Sequence, residues 1–381
     1  MRRVAIVAGA RTPIGKAGGA YKDVHPVELL SVTMRAAVEK TGRDPALIEQ
    51  IFVGCVQQVN NQSMNIGRNA WLNAGFTERT PAFTLDAQCC SGQEAANLGF
   101  SVIASGQADI VLAGGVESLS RVPLGATQGQ GVNFPYPDSL LAQWDMPSLQ
   151  TAVEAAAIKY GVTREAADEY GVRSHLRAAA AWDEGRFDDE ITFVERDEAV
   201  LLSQDQGIRR DSSVERSAQL SPAYSPDGIV TAANASQFSD GAASLVLASE
   251  DACDRYGLEP LAWITDTALV GSDPNFMFEG PLEVTDSILK RAGLTLDDVD
   301  RVEIHEAFAV PVLMWLNRYP YGVDKVNVDG AGISLGHPYG ATGIRHLVHL
   351  AYSMRRESLQ VGLQVMCGGG GLGSGTVLRR D

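Results

Sequence analysis

Ala37-Val38-Glu39-Lys40-Thr41-Gly42, a short link, and then Ile48-Glu49-Gln50-Ile51-Phe52-Val53 reads as a helix, a glycine cap, a turn and a buried strand. The same order returns in Leu289-Lys290-Arg291-Ala292-Gly293, a similar link, and Val299-Asp300-Arg301-Val302-Glu303-Ile304. Gly42 and Gly293 stand 251 residues apart. A second pair of landmarks keeps this offset. Cys89-Cys90-Ser91-Gly92 opens a helical segment ending near Gly106, and Ala108 to Gly115 then reads as a strand running into a glycine turn. His337-Pro338-Tyr339-Gly340-Ala341-Thr342-Gly343 opens another that ends near Ser358, and Val361 to Met366 leads into Cys367-Gly368-Gly369. Gly92 and Gly343 are again 251 apart, Gly115 and Gly369 254. Landmarks held in register predict an internal duplication. Strands alternating with helices predict an α/β protein with mostly parallel sheets.

The duplication divides the chain into a first half (1–118 plus 226–259), an inserted loop domain (119–225) and a second half (260–381). The insertion opens with an irregular stretch, Val122 to Pro147, rich in Gly, Pro and Gln. Long loops of this kind often act as lids or contacts. Ala152 to Tyr160 and Thr163 to Glu184 read as Ala-rich helices. A return segment, Gly228-Ile229-Val230-Thr231 through Val246-Leu247, is expected to complete the first half.

The 381 residues are 45% apolar and 20% charged, ordinary for a folded protein, and the formal charge is −16. Such acidity argues against non-specific binding to nucleic acid or an anionic membrane, yet leaves room for one anionic ligand on a local basic patch. No apolar run approaches the ~18 residues of a membrane helix. Val4 to Ala10 is expected to be a short buried strand rather than a signal peptide, and the C-terminus carries no retention or peroxisomal tail. Five cysteines (55, 89, 90, 253 and 367) are too few and too odd for a disulfide scaffold, so free thiols in a reducing cytoplasm are expected.

Ligands of α/β sheets bind beyond the carboxyl ends of the strands. Turns around Cys89, after Gly114, at His305, and at His337 and Cys367 fall at such ends. Cys89 precedes a helix, whose free N–H groups and dipole stabilise a thiolate. His337 is fixed between Gly336 and Pro338. Cys367 heads four glycines, a run that suggests close backbone approach to a ligand. His305-Glu306 ends a strand against Ala307-Phe308. Three chemistries compete for these groups. A metal site would want Cys-x-x-Cys or His-x-x-x-His pairing, which these positions lack. A Cys–His hydrolase leaves the second cysteine and the glycines unexplained. An acyl transferase acting on carbon–carbon bonds needs a nucleophile, its base, a second acid/base for a carbon-bound proton, and oxyanion donors; two Cys, two His and a glycine-rich N–H cradle fit that requirement.

From end to end the chain resembles the thiolase family. Arg11-Thr12-Pro13-Ile14-Gly15 is similar to its opening, Cys89-Cys90-Ser91-Gly92 to its Cys-x-Ser-Gly nucleophile motif, and Gly114-Gly115-Val116-Glu117-Ser118-Leu119-Ser120 to the segment that follows. Asn234-Ala235-Ser236 with Asp240-Gly241-Ala242-Ala243, His305-Glu306-Ala307-Phe308, Gly336-His337-Pro338 and Cys367-Gly368-Gly369 resemble the remaining motifs in order. The resemblance implies a duplicated five-layer α/β/α/β/α core. It also implies a ping-pong reaction in which a 3-ketoacyl-CoA is cleaved with CoA to acetyl-CoA and a shortened acyl-CoA, or the reverse Claisen condensation. Cys89 would carry the acyl group. His337 would take its proton and help hold the thioester oxygen. Cys367 would move the α-carbon proton, and the N–H groups of Cys89 and Gly369 would form an oxyanion hole. Ala232, Ala235 and Ser236 would line the pantetheine, Tyr224 stands where the family usually has Phe, Met277 and Phe308 match wall residues, and Arg209 would sit at the nucleotide end. CoA and acyl-CoA would be substrates, with no tightly bound cofactor and no metal. A homodimer or dimer of dimers is implied.

Some positions depart from the family pattern. Asp86 stands where most members have Asn. His305 replaces the Asn of Asn-Glu-Ala-Phe, and similar His-Glu-Ala-Phe motifs occur in degradative thiolases of trifunctional-type complexes. That points to β-oxidation of larger acyl chains. The loop after Pro123 is short against the family, which puts its lid and tetramer contacts in question. A biosynthetic acetoacetyl-CoA thiolase, a ketoacyl synthase and a non-catalytic CoA- or lipid-binding relative are the competing readings.

Overall fold

A computed structural model of the chain describes residues 2–129 and 134–381, so 130–133, within the irregular stretch from Val122, lie outside the described residues. The first half contains β1 (Val4–Arg11), β2 (Gly15–Lys16), α1 (Pro26–Thr41), β3 (Gln50–Gly54), α2 (Ile66–Asn73), β4 (Ala82–Leu85), α3 (Ser91–Ala104) and β5 (Ile110–Ser118). Next come α4 (Asp138–Leu141), α5 (Leu149–Tyr160), α6 (Arg164–Asp183), β6 (Glu195–Arg196), β7 (Ala199–Val200) and α7 (Val214–Ala218). The chain returns through β8 (Ser239–Ser249) and α8 (Glu250–Tyr256). The second half runs β9 (Ala262–Gly271), α9 (Gly280–Ala292), β10 (Arg301–Ile304), α10 (Ala309–Arg318), α11 (Gly332–Leu335), α12 (Tyr339–Glu357), β11 (Val361–Gly368) and β12 (Leu372–Arg379).

The repeat seen in the sequence is a repeat of elements. β1, α1, β3, α3, β5 and β8 have counterparts in β9, α9, β10, α12, β11 and β12. Gly42 and Gly293 end α1 and α9 in the left-handed region, at φ 63° and 64°, where a residue without Cβ carries no penalty. Both halves join one path of hydrogen-bonded strands, β10-β11-β12-β9-β1-β8-β5-β3-β4. The sheet is mixed, which corrects the expectation of mostly parallel strands. Among the strands named above β3–β4, β3–β5 and β10–β11 pair in parallel, while β8 lies antiparallel to both β1 and β5, and β12 to both β11 and β9. The reason lies in the connections. The insertion brings β8 back from the opposite end, and the link from β11 to β12 is too short for anything but a hairpin.

Five layers follow. α1 and α2 cover the outer face of the first half's strands, α3 and α12 lie together in the middle, and α9 and α10 cover the outer face of the second half. Alternate residues of β1 feed different cores: Val4 and Ile6 face the central helices, Ala5 and Val7 the α1 side. No helix among the described residues is long and apolar enough to cross a membrane.

The middle layer closes through glycines. A Cβ on Gly340 would lie 2.5 Å from the carbonyl oxygens of both Gly54 and Val116, one on Gly115 2.0 Å from Gly340 O, and one on Gly92 2.5 Å from the same oxygen. Backbone therefore meets backbone where the N-termini of α3 and α12 approach the ends of β3 and β5. The buried Glu117 carboxylate fastens this junction by accepting from the N–H groups of Val56, Gln57 and Gly340, at 3.0, 3.1 and 3.0 Å. Gly340→Ala should be among the most destabilising single changes, costing about 3 kcal/mol or more because backbone rather than a flexible side chain must yield. Gly322→Ala, where nothing lies within 4 Å, should change stability by less than about 0.5 kcal/mol. Urea denaturation of both variants checks this, and equal losses would refute the packing account.

Candidate active site

The nucleophile turn is built by its own motif. Gln88 takes φ 53°, and Ser91 staples the turn by accepting from Ala87 N (2.8 Å) and donating to Gln88 O (2.6 Å). Asp86 Oδ1 accepts from Gln88 N at 2.7 Å, which gives this residue a role the sequence did not disclose: it braces the left-handed turn before the nucleophile. Gly92 is required by the close approach of Gly340. The two adjacent cysteines separate cleanly. Cys89 faces a cavity of about 450 Å³, whereas Cys90 is fully buried.

Cys89, His337, Cys367 and Gly369 line this same cavity, although they are spread from residue 89 to residue 369 of the chain. The N–H groups of Gly369 and of Cys89 itself face the Cys89 sulfur. His337 hangs from its backbone, its N–H donating to Gln237 O (3.2 Å) and to Ser239 Oγ (3.1 Å). Gly336 before it sits at φ 114°, and a Cβ there would lie 2.5 Å from Ser239 Oγ. His337 Nδ1 is 2.7 Å from Thr342 Oγ1, and its Nε2 is 3.1 Å from His305 Nε2. His305 is fully enclosed and does not line the cavity; it meets the site only through His337.

The four glycines after Cys367 divide their work. Gly368 ends β11 and Gly369 reaches Cys89, while Gly370 and Gly371, at φ 76° and 84°, make the hairpin turn into β12. Of the residues matched to CoA, Arg209, Tyr224, Ala232, Ala235, Ser236 and Phe308 line the cavity. Met277 does not: it is buried in the core, and Phe278 takes its place on the wall, packing edge-on to Phe308 at 5.6 Å. Tyr224 packs edge-on to the other side of Phe308. Lys16 and Tyr339 also line the cavity, beyond the site residues that the sequence motifs indicate. Lys16 follows Gly15 in the opening motif, and Tyr339 lies two residues after His337, so proximity to motifs was the available signal. Glu306, beside His305, is a structural tie. It is buried and accepts from Tyr170 Oη (2.7 Å), Ser174 Oγ (2.7 Å), Asn327 Nδ2 (3.0 Å) and Ile333 N (3.1 Å), which fastens α6 of the insertion to the second half.

Desolvation governs protonation here. Burial pushes the Cys89 thiol up to about 12, against the pull of the two N–H groups, and pushes Cys367 up as well. Burial also holds His337 well below its ordinary value, assisted by His305 and Arg345. Burial thus opposes the stabilisation that the helix start offers a thiolate. These shifts favour a thiol and a neutral imidazole base at rest.

Residues 4–251 match the model of the thiolase N-terminal domain and residues 258–380 that of the thiolase C-terminal domain. A steroid 3-ketoacyl-CoA thiolase of Mycobacterium tuberculosis is 39% identical over all of this chain and 95% of its own length. An acetyl-CoA acetyltransferase of Chromobacterium violaceum is 40% identical over 99% of each chain. Human mitochondrial 3-ketoacyl-CoA thiolase, solved in complex with CoA, superposes with a TM-score of 0.91 at 33% identity, covering 100% of this chain and 98% of that one. With both halves matched and the motif residues gathered around one cavity, the chain belongs to the thiolase family of acyl-CoA acyltransferases.

Proposed function

We propose that the chain cleaves 3-ketoacyl-CoA with CoA through an acyl group carried on Cys89. The observation that carries this reading is the convergence of Cys89, His337, Cys367 and the Gly369 N–H on one cavity. His337 Nε2 takes the Cys89 proton as sulfur attacks the 3-keto carbon. The oxygen of the tetrahedral adduct accepts from the N–H groups of Cys89 and Gly369. The C2–C3 bond breaks, its electrons pass to the thioester enolate, and Cys367 protonates C2. Acetyl-CoA leaves. The Cys367 thiolate takes the proton of incoming CoA, whose sulfur displaces Cys89, and the imidazolium of His337 returns a proton to the departing sulfur.

His305 enters through His337. Once His337 Nε2 carries the proton of Cys89 it ceases to accept from His305, and the His337 N–H faces the cavity as a donor to the enolate oxygen, while His305 holds that ring from behind. Lys16 and Arg209 at the cavity support binding of the CoA phosphates by an otherwise acidic protein. Arg209 is oriented through its Nη1, which donates to Ala232 O at 2.8 Å. The retention of both cysteines and both histidines speaks against a non-catalytic relative. Five free thiols support a reducing cytoplasm. We also propose that two copies pair along β4, an edge strand whose Phe83 is 46% exposed and near which Met64 is 85% exposed; sedimentation as a monomer at micromolar concentration would contradict this.

Mass spectrometry of enzyme trapped with acyl-CoA should place the adduct on Cys89; an adduct on Cys90, or full activity in Cys89→Ala, would sink the reading. Cys367→Ala should lower turnover ~10²–10⁴-fold while Cys89 still accepts an acyl group. Arg209→Ala should raise KM for CoA about 10-fold or more with kcat nearly unchanged, the scale of one charge-assisted contact. His305→Ala should lower kcat ~10²–10³-fold with little change in CoA affinity. His305→Asn, restoring the amide common in the family, should recover part of that loss. Unchanged kcat in His305→Ala would leave His305 only a packing role. A panel of 3-ketoacyl-CoA substrates from acetoacetyl to ring-bearing chains separates the degradative from the biosynthetic reading.

A further inference from the structure

A cluster of buried charged side chains lies behind the two histidines. The strand register places Glu303 of β10 two residues before His305, on the same face. Across from it α12 offers Thr342, Arg345, His346 and His349, spaced three and four residues apart. The hydrogen bonds assign their protons. Thr342 donates to Pro338 O (3.0 Å), so it accepts from His337 Nδ1–H at 2.7 Å, and His337 Nε2 is bare. The nitrogen 3.1 Å away must then be a donor: His305 carries its proton on Nε2. Its Nδ1 is buried without a protein partner. Arg345, which can only donate, gives a hydrogen bond from Nη2 to His346 Nε2 at 2.7 Å, so His346 Nδ1–H donates to Glu303 Oε2 at 3.2 Å. The rings of His305 and His346 stand edge to face at 6.0 Å.

We propose that Arg345 is a positioning residue for acyl transfer: its enclosed guanidinium, hydrogen-bonded to His346 behind His305, keeps His305 and His337 at one ring proton each, the state in which one donates and the other accepts. The proposal rests on the reading of His337 as the base. A second proton on either ring would place a new cation beside a permanent one where water cannot screen them. Burial and then Arg345 lower His305 to about 3, and burial, His305 and Arg345 lower His337. Burial lowers Arg345 itself only to about 10, so it remains a cation at neutral pH.

The other groups around the pair do not supply this effect. Cys89, Cys367 and Tyr339 are neutral at rest, each raised first of all by burial. Glu306 is held by the hydroxyl, amide and N–H donors of α6, Asn327 and Ile333. Burial opposes protonation of His349, but Glu190 and Asp329, each 3.0 Å away, push it up to about 10, so its charge is matched on the spot. Arg11 is matched likewise by Glu190 and Asp205. Among the described residues the hydrogen-bond partner of Arg345 is a neutral imidazole, and no carboxylate lies in direct contact. Glu303, Glu190 and Asp205 favour its charge from beyond contact, and after burial Arg345 is the permanent charge that bears on His305 and His337.

Ring NMR titration of His305 and His337, assigned with single His→Gln variants, tests this without requiring turnover. In the parent both rings should remain neutral at about pH 5.5. In Arg345→Met at least one midpoint should rise by about one pH unit or more, and the acid limb of kcat should move with it; Arg345→Lys should restore the parent midpoints. If Arg345→Met does not fold, Arg345→Met/Glu303→Gln removes the cation together with the buried carboxyl of Glu303 and carries the same expectation. Unmoved midpoints in a folded variant, whatever its melting temperature, overturn the proposal. An inactive parent with shifted midpoints in the variant would instead overturn the acyl-transfer reading and leave the electrostatic role of Arg345 standing.

Discussion

The backbone contact around Gly340 is the constraint on which the site depends. Two central helices can bring their N-termini within reach of each other only if nothing projects between them. Gly54, Gly92, Gly115 and Gly340 remove every Cβ from that junction, and Glu117 ties its loose N–H groups. Cys89 stands just before one of these helices and His337 just before the other. Their common cavity follows from a packing solution in which two similar halves meet through hydrogen-bonding backbone rather than through side chains.

That closeness sets the chemistry. A site enclosed by two helices and flanked by strand ends is poor in water, so each ionised form is disfavoured and each neutral form preferred. Two N–H donors on Cys89 do not overcome its burial. They become effective when oxygen, rather than a resting thiol, gathers negative charge. The same low-dielectric surroundings raise the reach of a fixed cation, and the interior behind His305 contains one. The acidity of the surface and the sparse cations of the cavity are thus separate matters: Lys16 and Arg209 face the cavity, whereas Arg345 is sealed inside.

Motifs were legible where residue type and backbone demand coincide. Cys-x-Ser-Gly names a nucleophile, a hydroxyl that staples a left-handed turn, and a position without room for Cβ, and each requirement restricts the residue. Gly-His-Pro is restricted in the same way by φ 114° at Gly336. Less was legible where the requirement is one of direction. Met277 and Phe278 are neighbours of similar character, and which of them faces the cavity is set by the irregular turn before α9. The four glycines could be counted, but not divided between oxyanion cradle and hairpin. His305 carried its motif openly, yet its complete enclosure and its bond to His337 depend on α12, which lies some thirty residues further along the chain.

By itself the sequence determined the duplication, the α/β class, the family and the identity of the two cysteines and two histidines, because periodicity, glycine caps and short motifs are local properties of a chain. Tertiary structure alone decided strand direction, since β8 and β12 arrive from connections whose geometry no local pattern contains. It alone decided protonation as well: whether a cysteine is a thiol or a thiolate, and which nitrogen of an imidazole bears the proton, depends on burial and on partners such as Thr342 and Arg345 that only folding brings within a few ångströms.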